Sequence, residues 1–347
     1  MRNLTCIAAA CTAISTGAFA MGSIFGSDFK DYTPPKASDA NISALVERVL
    51  ADMVFIPGGS FLFGNVPVPV EVDGEIREEL IYGPAVDPDR APITLDGYYA
   101  ARFEITNHDF DLYAAANDLP LRPDNPIHHG RQGPYPAVLA HHQAESYCAW
   151  LAELTGQPFA LPTSEQWEFA ARSGGQAVAY ATQDGTYDYL EQLYRQTLDD
   201  QPNTPHLPDA YPPNPYGLYA MSSNLAEWVA DEWLDTDGFP LKDGATGDPE
   251  SRDRRVWRGA AYTSQASLNS IFMFGAAGPS TRSKTLEINE DMAPYFEPDH
   301  PIIYWGREIG ARCVVNVASA PADSGFGRNA GPVPDDFPKP FAPLERR

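Results

Sequence analysis

Segments with a regular helix or strand pattern are short in this chain, and long stretches rich in proline and glycine separate them. The sequence holds 33 prolines and 27 glycines, which argues for a loop-rich fold rather than a helical bundle. The apolar spacing of an amphipathic helix occurs at residues 107–117, 142–154 and 163–174. Few helices, many short strands and long loops together predict an α+β fold.

Local signals set the ends of these elements. Thr163 and Gln166 have the spacing of a capping box, and Gly156 is a typical stop for the preceding helix. The remaining pattern predicts a short amphipathic helix at 43–50, a polar insertion at 65–92, and strands at 53–56, 60–64, 93–103, 255–258 and 311–315.

The N-terminus has the pattern of a secretory signal peptide. Arg2 supplies a positive charge, residues 4–13 form an apolar run, and Ala18 and Ala20 are the small residues that a signal peptidase recognises. The run is too short to span a bilayer, and no later segment reaches about 18 uninterrupted apolar residues. The alternatives are a buried or disordered N-terminal helix, and lipidation at Cys11.

The cysteines support export to an oxidising compartment. Cys6 and Cys11 lie within the proposed signal peptide, so cleavage after Ala20 leaves Cys148 and Cys313. Two cysteines in such a compartment are expected to pair, closing a loop of about 166 residues worth on the order of 5 kcal/mol in the chain-entropy model. Two separate buried thiols are the alternative.

The net charge excludes two classes of partner. A formal charge of −23 and an isoelectric point near 4.5 leave no basic surface to neutralise the phosphates of a nucleic acid or the head groups of an anionic membrane. We interpret the acidity as a source of solubility.

Six short motifs follow one another between residues 53 and 317. They are MVFIPGGSF at 53–61, EITN at 104–107, LPTSEQWEFAAR at 161–172, NPYGLYAMSSNLAEW at 214–228, RVWRG at 255–259 and GARC at 310–313. In type and order they resemble the motifs of the formylglycine-generating enzyme (sulfatase-modifying factor) family. One motif alone is weak evidence, but six in the right order make the resemblance specific.

The resemblance implies a C-type-lectin-like (formylglycine-generating-enzyme) fold with much irregular loop structure. It also implies that Cys148 and Cys313 form the structural disulfide of the family. Three motif tryptophans are expected to fill the core and two motif charges to hold loops by charge-assisted hydrogen bonds: Trp167, Trp228, Trp257, Glu227 and Arg258.

The two residues that perform the chemistry of the family differ here. The resemblance implies a copper site made by two cysteines, at the sixth and eleventh residues after the arginine of the RGGS motif. Counted from Arg258, these positions hold Ser264 and Asn269. Copper(I) prefers soft thiolates, which a hydroxyl and an amide do not replace. The sequence therefore argues against copper and against formylglycine formation.

The resemblance also implies a calcium site near Glu227. The family supplies one oxygen there from an aspartate and another from a glutamate, and the aspartate position holds Ala220. Loss of one oxygen ligand weakens calcium binding without abolishing it, so Glu227 is a candidate calcium ligand.

Two histidine pairs suggest a different metal site. His128 with His129, and His141 with His142, would supply imidazoles beside a carboxylate such as Glu145. Adjacent histidines point apart on a strand or helix, so we favour a solvated loop before the second helix.

The boundaries follow from these assignments. We predict a signal peptide at 1–20, an N-terminal lead-in at 21–50, a sulfatase-modifying-factor-like domain at 51–318 and a loose C-terminal tail at 319–347.

These features predict a periplasmic or secreted protein that keeps the scaffold of the family without its copper site. The expected role is protein binding, as an accessory factor in the maturation or assembly of an envelope or secreted system. The recognition surface is predicted in an aromatic segment, at Phe272, Phe274, Tyr295 and Trp305. The alternative is a metal-dependent oxidoreductase that matures an exported peptide or siderophore, similar to the pyoverdine-maturation members of the family.

Overall fold

The computed structural model describes residues 32–72, 74–81, 91–121, 132–186, 205–232, 254–259, 261, 270–277, 309–317 and 327–339. The helices in this part are α1 (Asp39–Asp52), α2 (Asn107–Ala116), α3 (His141–Thr155) and α4 (Ser164–Ala171). The strands are β1 (Met53–Ile56), β2 (Gly59–Phe61), β3 (Val68–Val72), β4 (Glu75–Glu79), β5 (Ile93–Leu95), β6 (Tyr98–Ala101), β7 (Phe159–Ala160), β8 (Ala226–Glu232), β9 (Arg255–Arg258), β10 (Phe274–Ala277), β11 (Ile309–Gly310), β12 (Val314–Val315) and β13 (Arg328–Asn329).

The strands form small sheets. One sheet has the order β13-β1-β6-β12-β7 and is antiparallel except for the pair of β1 and β13. A second has the order β10-β9-β8-β11, in which β8 and β11 are parallel. Two further ladders join β2 to β5 and β3 to β4. This mixture of short strands and few helices confirms the α+β prediction.

The five-stranded sheet separates two apolar cores. Side chains alternate between the faces of a strand, so neighbouring residues of β1, β6 and β12 enter different cores. One face meets α1, α2 and α3, and the opposite face meets α4. The first face carries Met53, Tyr99 and Val315, and the second carries Val54, Ile56 and Val314.

The helix ends confirm the capping signals. Thr163 Oγ1 accepts from the Gln166 amide at 3.2 Å, and Gln166 Oε1 accepts from the Thr163 amide at 3.0 Å. Gly156 ends α3 with a φ of 68°, the left-handed conformation that favours glycine. Helix α4 stops at Ala171, earlier than the predicted residue 174. Among the described helices, none has the length and apolar character needed to cross a membrane.

The disulfide between Cys148 and Cys313 is present, as the cysteine count and the resemblance predicted. Its Cα atoms are 5.8 Å apart, and both residues are buried. Cys148 lies in α3 and Cys313 directly precedes β12, so the bond ties a helix to the central sheet.

The described part of the lead-in packs against the domain. Helix α1 begins at Asp39, because the Ser38 hydroxyl caps it by accepting from the Asn41 amide at 3.2 Å. It therefore starts before the predicted residue 43. Arg48 of α1 forms an ion pair with Asp109 of α2, which fixes the helix to its neighbour.

The prediction of a loose C-terminal tail is wrong for residues 327–339. Strand β13 pairs in parallel with β1, Phe337 is 5% exposed, and the Lys339 carbonyl accepts from the Ala177 amide at 3.0 Å. The outer edge of β1 has backbone groups that need partners, and this segment supplies them.

Candidate functional site

The first group of buried charges, the Glu168 cluster, consists of Glu168, Arg172 and Arg258. Glu168 Oε1 accepts from Arg172 Nη1 at 2.9 Å and from the Gly64 amide at 2.7 Å. Glu168 Oε2 accepts from Arg258 Nη2 at 2.6 Å. The three side chains are at most 1% exposed, so one carboxylate serves two guanidinium groups away from water.

The remaining donors of the Glu168 cluster bind loop carbonyls. Arg172 donates to the carbonyls of Leu62 at 2.7 Å, Gly175 at 3.1 Å and Gln176 at 2.7 Å. Burial lowers the pKa of Arg172, although the Glu168 carboxylate acts in the opposite direction. This guanidinium ties the end of α4 to the segment after β2.

The second group, the Glu227 cluster, consists of Glu227, Arg312 and Glu104. Arg312 binds Glu227 with two parallel hydrogen bonds, Nε to Oε2 at 2.7 Å and Nη2 to Oε1 at 2.6 Å. Burial opposes the charge of Arg312, but Glu227 and Glu104 together more than offset burial, and the pKa of Arg312 is raised. Arg312 also donates to the carbonyls of Ala101 at 3.0 Å and Tyr219 at 2.8 Å.

Glu104 is the second carboxyl group of this cluster. Its Oε2 accepts from Asn224 Nδ2 at 2.7 Å, and its Oε1 accepts from the Leu225 amide at 3.1 Å. Burial and then the charge of Glu227 raise the pKa of Glu104 well above its ordinary value. Two carboxyl groups therefore lie near one guanidinium, and the raised pKa of Glu104 favours its protonated form.

Trp167 joins the two clusters. Its Nε1 donates to Glu227 Oε2 at 2.8 Å, and the Arg258 guanidinium carbon lies 5.6 Å from its ring centroid. Glu227 and Arg258 are also opposite each other in the ladder of β8 and β9. Each binds a charged partner elsewhere, and Arg258 also donates to the Ile271 carbonyl at 3.2 Å, which confirms that these two motif charges hold loops.

The geometry assigns both clusters a structural role. The exposed fractions of Glu104, Glu168 and Glu227 are at most 2%, and their oxygens already accept protein hydrogen bonds. Such groups keep loops in place by charge-assisted bonds, and they are not positioned to exchange a proton with a ligand.

The residues at Glu227 do not fit a calcium ion. Both of its oxygens accept from Arg312, and one also accepts from Trp167. A divalent cation at this carboxylate would lie beside a buried guanidinium, which like-charge repulsion disfavours. The aspartate position of the family holds Ala220, which has no side-chain oxygen to offer.

The second histidine pair begins α3, so the expectation of a solvated loop before this helix is wrong for it. The pair is divided between core and surface, as expected for adjacent residues. His141 is buried, with Nε2 3.1 Å from the Val229 carbonyl oxygen, and burial lowers its pKa. His142 is exposed. His128 and His129 lie outside the described residues. In the part of the chain that the structure describes, no three His, Cys, Asp or Glu side chains gather as a metal site.

The predicted binding residues fall in different environments. Phe272 is 2% exposed and packs with Leu62, Val68 and Tyr180, so it belongs to the core and not to a surface that contacts a partner. Phe274 begins β10 and is partly buried. Four other predicted site residues lie outside the described residues: Ser264, Asn269, Tyr295 and Trp305.

Sequence reasoning missed the roles of Glu104, Arg172 and Arg312. A usable signal was present, because Glu168 and Arg172 are charges four residues apart, and the residues between them, Phe169, Ala170 and Ala171, are apolar. Arg312 likewise stands between buried Ala311 and Cys313. A charge within an apolar segment must find a partner when it is buried.

The structure defines the class of protein as an irregular α+β domain, in which a disulfide joins a helix to the central sheet and the Glu168 and Glu227 clusters are buried. The structure of PvdO from Pseudomonas aeruginosa superimposes on it with a TM-score of 0.51 and 21% identity, covering 83% of this chain and 99% of that one. A likeness at this level of identity bears on the fold, and it confirms the C-type-lectin-like expectation.

The family model described as a sulfatase-modifying factor enzyme 1-like domain matches residues 40–287. The match covers more than half of the chain, which therefore belongs to this family. It begins within α1, whereas the sequence placed the start of the domain at residue 51. The predicted end at residue 318 stays a prediction.

Curated relatives are similar at low identity. Mouse formylglycine-generating enzyme is 25% identical over 273 residues, which cover 61% of this chain and 66% of that protein. The mouse protein described as inactive C-alpha-formylglycine-generating enzyme 2 is 25% identical over 264 residues, which cover 62% of this chain and 75% of that protein. The chain thus spans slightly less than two thirds of the mouse enzyme.

Proposed function

We propose that this chain is an exported family member that binds protein and does not form formylglycine. Its role would be that of an accessory factor in the maturation or assembly of an envelope or secreted system. The observation that carries the proposal is a contrast within the chain. The disulfide and two buried ionic clusters hold the scaffold together, whereas Ser264 and Asn269 stand at the copper-cysteine positions.

One relative supports the proposal that a chain can keep the family scaffold without the activity of the family. The mouse protein described as inactive is as similar to this chain as the mouse formylglycine-generating enzyme is, at 25% identity each. The family scaffold therefore occurs in a protein described as inactive. This observation is compatible with a binding role here.

Copper binding tests the proposal. The donors at the two positions are a hydroxyl and an amide, which do not fit copper(I). We expect the purified protein to lose copper(I) to a colorimetric chelator, and the variant S264C/N269C to retain it. The matched control S264A/N269A should behave like the unmodified chain. Stoichiometric retention by the unmodified chain would overturn the proposal.

Export is supported by the signal-peptide pattern of residues 1–20 and by the disulfide. In a bacterial host with a periplasm, we expect the mature protein to begin at Met21 and to fractionate with the periplasm. Mass spectrometry of the intact purified protein measures the first residue. A mature protein that still carries Cys11, lipidated or not, would contradict cleavage after Ala20.

Protein binding is proposed to involve Phe274, Tyr295 and Trp305. The variant Y295A/W305A should recover less of a cross-linked envelope protein than the unmodified chain does, because aromatic side chains dominate many interfaces. The control variant L119A/L121A removes two exposed apolar side chains elsewhere on the surface. Equal recovery by Y295A/W305A and the unmodified chain would exclude these two side chains from the binding surface.

A second candidate function is a metal-dependent oxidoreductase acting on an exported peptide or siderophore. The similarity of fold to PvdO over 99% of that chain favours it. Metal analysis of purified protein separates the two functions. Stoichiometric iron or copper, removed by a chelator together with activity, would favour the oxidoreductase.

A further inference from the structure

The predicted polar insertion contains a β-hairpin made by β3 and β4. Its first strand is anchored, since Val68 is 3% exposed and Val70 packs against the same small core as Leu62, Tyr180 and Phe272. The hairpin therefore covers Phe272 and provides the outer surface above it.

The second strand of the hairpin is exposed along its whole length. All five residues of β4 are exposed, and Ile76 retains 76% of its surface. In the described residues β4 pairs only with β3, so its other edge presents backbone groups without a strand partner. Such an edge is a template for an added strand.

The charge of this edge is acidic. Strand β4 carries the carboxylates Glu75, Glu78 and Glu79 and one cation, Arg77, which pairs with Glu75 at 3.0 Å. Glu71 of β3 lies opposite Ile76 and adds a fourth carboxylate to the hairpin. Alternation along the strand places Glu75, Arg77 and Glu79 on one face, and Ile76 with Glu78 on the other. An added strand would therefore meet carboxylates on both faces and an aliphatic side chain on one.

A second copy of the chain is a poor occupant of this edge. In the antiparallel register centred on Arg77, Glu75 of one copy faces Glu79 of the other, and the two Arg77 side chains face each other. Like charges directly opposite are destabilising. A solvated edge protected by charge is the simpler interpretation, but it leaves the exposure of Ile76 unexplained.

We propose that β4 is a docking edge for an extended, basic segment of a partner protein, which adds to the hairpin as a further strand. Lysine or arginine side chains of that segment face Glu75 and Glu79, and an aliphatic side chain packs on Ile76. The inference rests on the proposed protein-binding function and names the chemistry of the partner.

The test uses the full mature chain and a ten-residue synthetic peptide, the valine–lysine peptide, in which every second residue is valine. The residues between the valines are lysines where the peptide faces Glu75 and Glu79, and a glutamate where it faces Arg77. Fluorescence anisotropy measures its affinity, and hydrogen exchange with mass spectrometry measures protection of residues 75–79. We expect submillimolar binding at low salt and slower exchange in this strand. A peptide alternating valine and glutamate should not bind.

Two variants locate the site. E75Q/E79Q should weaken binding of the valine–lysine peptide roughly fivefold to tenfold, because two cross-strand charge pairs are lost. The control E145Q/E153Q removes the same charge from exposed positions of α3, and should change affinity less than about twofold.

Three outcomes would overturn the proposal. The peptide could fail to bind at millimolar concentration, or it could bind without protecting residues 75–79 from exchange. The third is an equal loss of affinity in E75Q/E79Q and E145Q/E153Q. None of these results bears on copper retention or on peptide oxidation. A failure at the hairpin is therefore distinguishable from a failure of the proposed function.

Discussion

The Glu168 and Glu227 clusters are equally buried but have opposite imbalances of charge. The first has one carboxylate between two guanidinium groups, and the second has two carboxyl groups beside one guanidinium. Arginine remains charged in proteins, so the first cluster cannot adjust its charge. The second can, because Glu104 gains or loses a proton.

This difference predicts unequal tolerance of substitution. Removal of the only anion from the Glu168 cluster leaves two buried cations, whereas removal of Glu227 leaves a second carboxyl group that can ionise beside Arg312. A buried ion pair that loses one partner is strongly destabilised. The free energy of unfolding of variants in each cluster tests this difference.

The largest effect is expected for Glu168→Gln. We expect the free energy of unfolding to fall by about 5 kcal/mol, because Arg172 and Arg258 lose their shared anion. Urea denaturation of the purified protein measures it, and the soluble yield reports a failure to fold. The exposed substitution Glu145→Gln is the control.

A loss below about 2 kcal/mol in Glu168→Gln would contradict this expectation. It would mean that the two guanidinium groups are held mainly by the loop carbonyls of Leu62, Gln176 and Ile271.

The next effect is a loss of about 3 kcal/mol in Glu227→Gln. Glu104 compensates by ionising, since the charge of Glu227 contributes to its raised pKa. The double variant E104Q/E227Q lacks this reserve and should lose more stability than the sum of the two single variants. Strict additivity in the double-mutant cycle would show that the carboxyl groups are uncoupled.

The pH dependence of stability provides a third prediction. The raised pKa of Glu104 means that the folded chain binds up to one more proton than the unfolded chain between pH 4.5, the ordinary value, and the folded pKa. Stability from this group is therefore complete below pH 4.5. It declines by about 1.4 kcal/mol per pH unit as the pH rises toward the folded pKa.

Glu104→Gln removes this decline. The variant should be less stable than the unmodified chain at pH 5, because glutamine offers one acceptor where the carboxyl accepts two hydrogen bonds. The gap should narrow as the pH rises to 8. Parallel stability profiles of the two proteins would contradict a raised pKa for Glu104.

The smallest effect is expected at the exposed end of the same strand ladder. Glu232 pairs with Arg255 at 2.5 Å, but its side chain is 60% exposed. Glu232→Gln should change the free energy of unfolding by less than about 0.5 kcal/mol in urea titration. A loss of stability as large as that of Glu227→Gln would show that burial does not determine how much each carboxylate contributes to stability.

Local signals predicted much of this molecule. The capping box at Thr163, the stop at Gly156 and the pairing of Cys148 with Cys313 all follow from residue type and spacing. The motif charges Glu227 and Arg258 were correctly expected to hold loops. These features depend on a few neighbouring residues or on a simple count.

Long-range packing could not be predicted in the same way. Glu104 lies more than 100 residues before Asn224, yet the two side chains form a buried hydrogen bond. The pairing of β13 involves two polar residues with no periodicity. Phe272 belongs to an apolar run that suggested a surface, and it is a core residue because distant segments, which include Leu62, Val68 and Tyr180, pack with it.

The central claim is that this chain keeps the family scaffold without its oxidation chemistry. Its most direct test incubates the purified, metal-analysed protein with a sulfatase-type cysteine peptide, copper(I), oxygen and a thiol reductant, which supplies the two electrons that the reaction with oxygen needs. Mass spectrometry then follows the cysteine. We expect the thiol to be recovered with no aldehyde, and conversion of the cysteine to an aldehyde by the unmodified chain would contradict the claim.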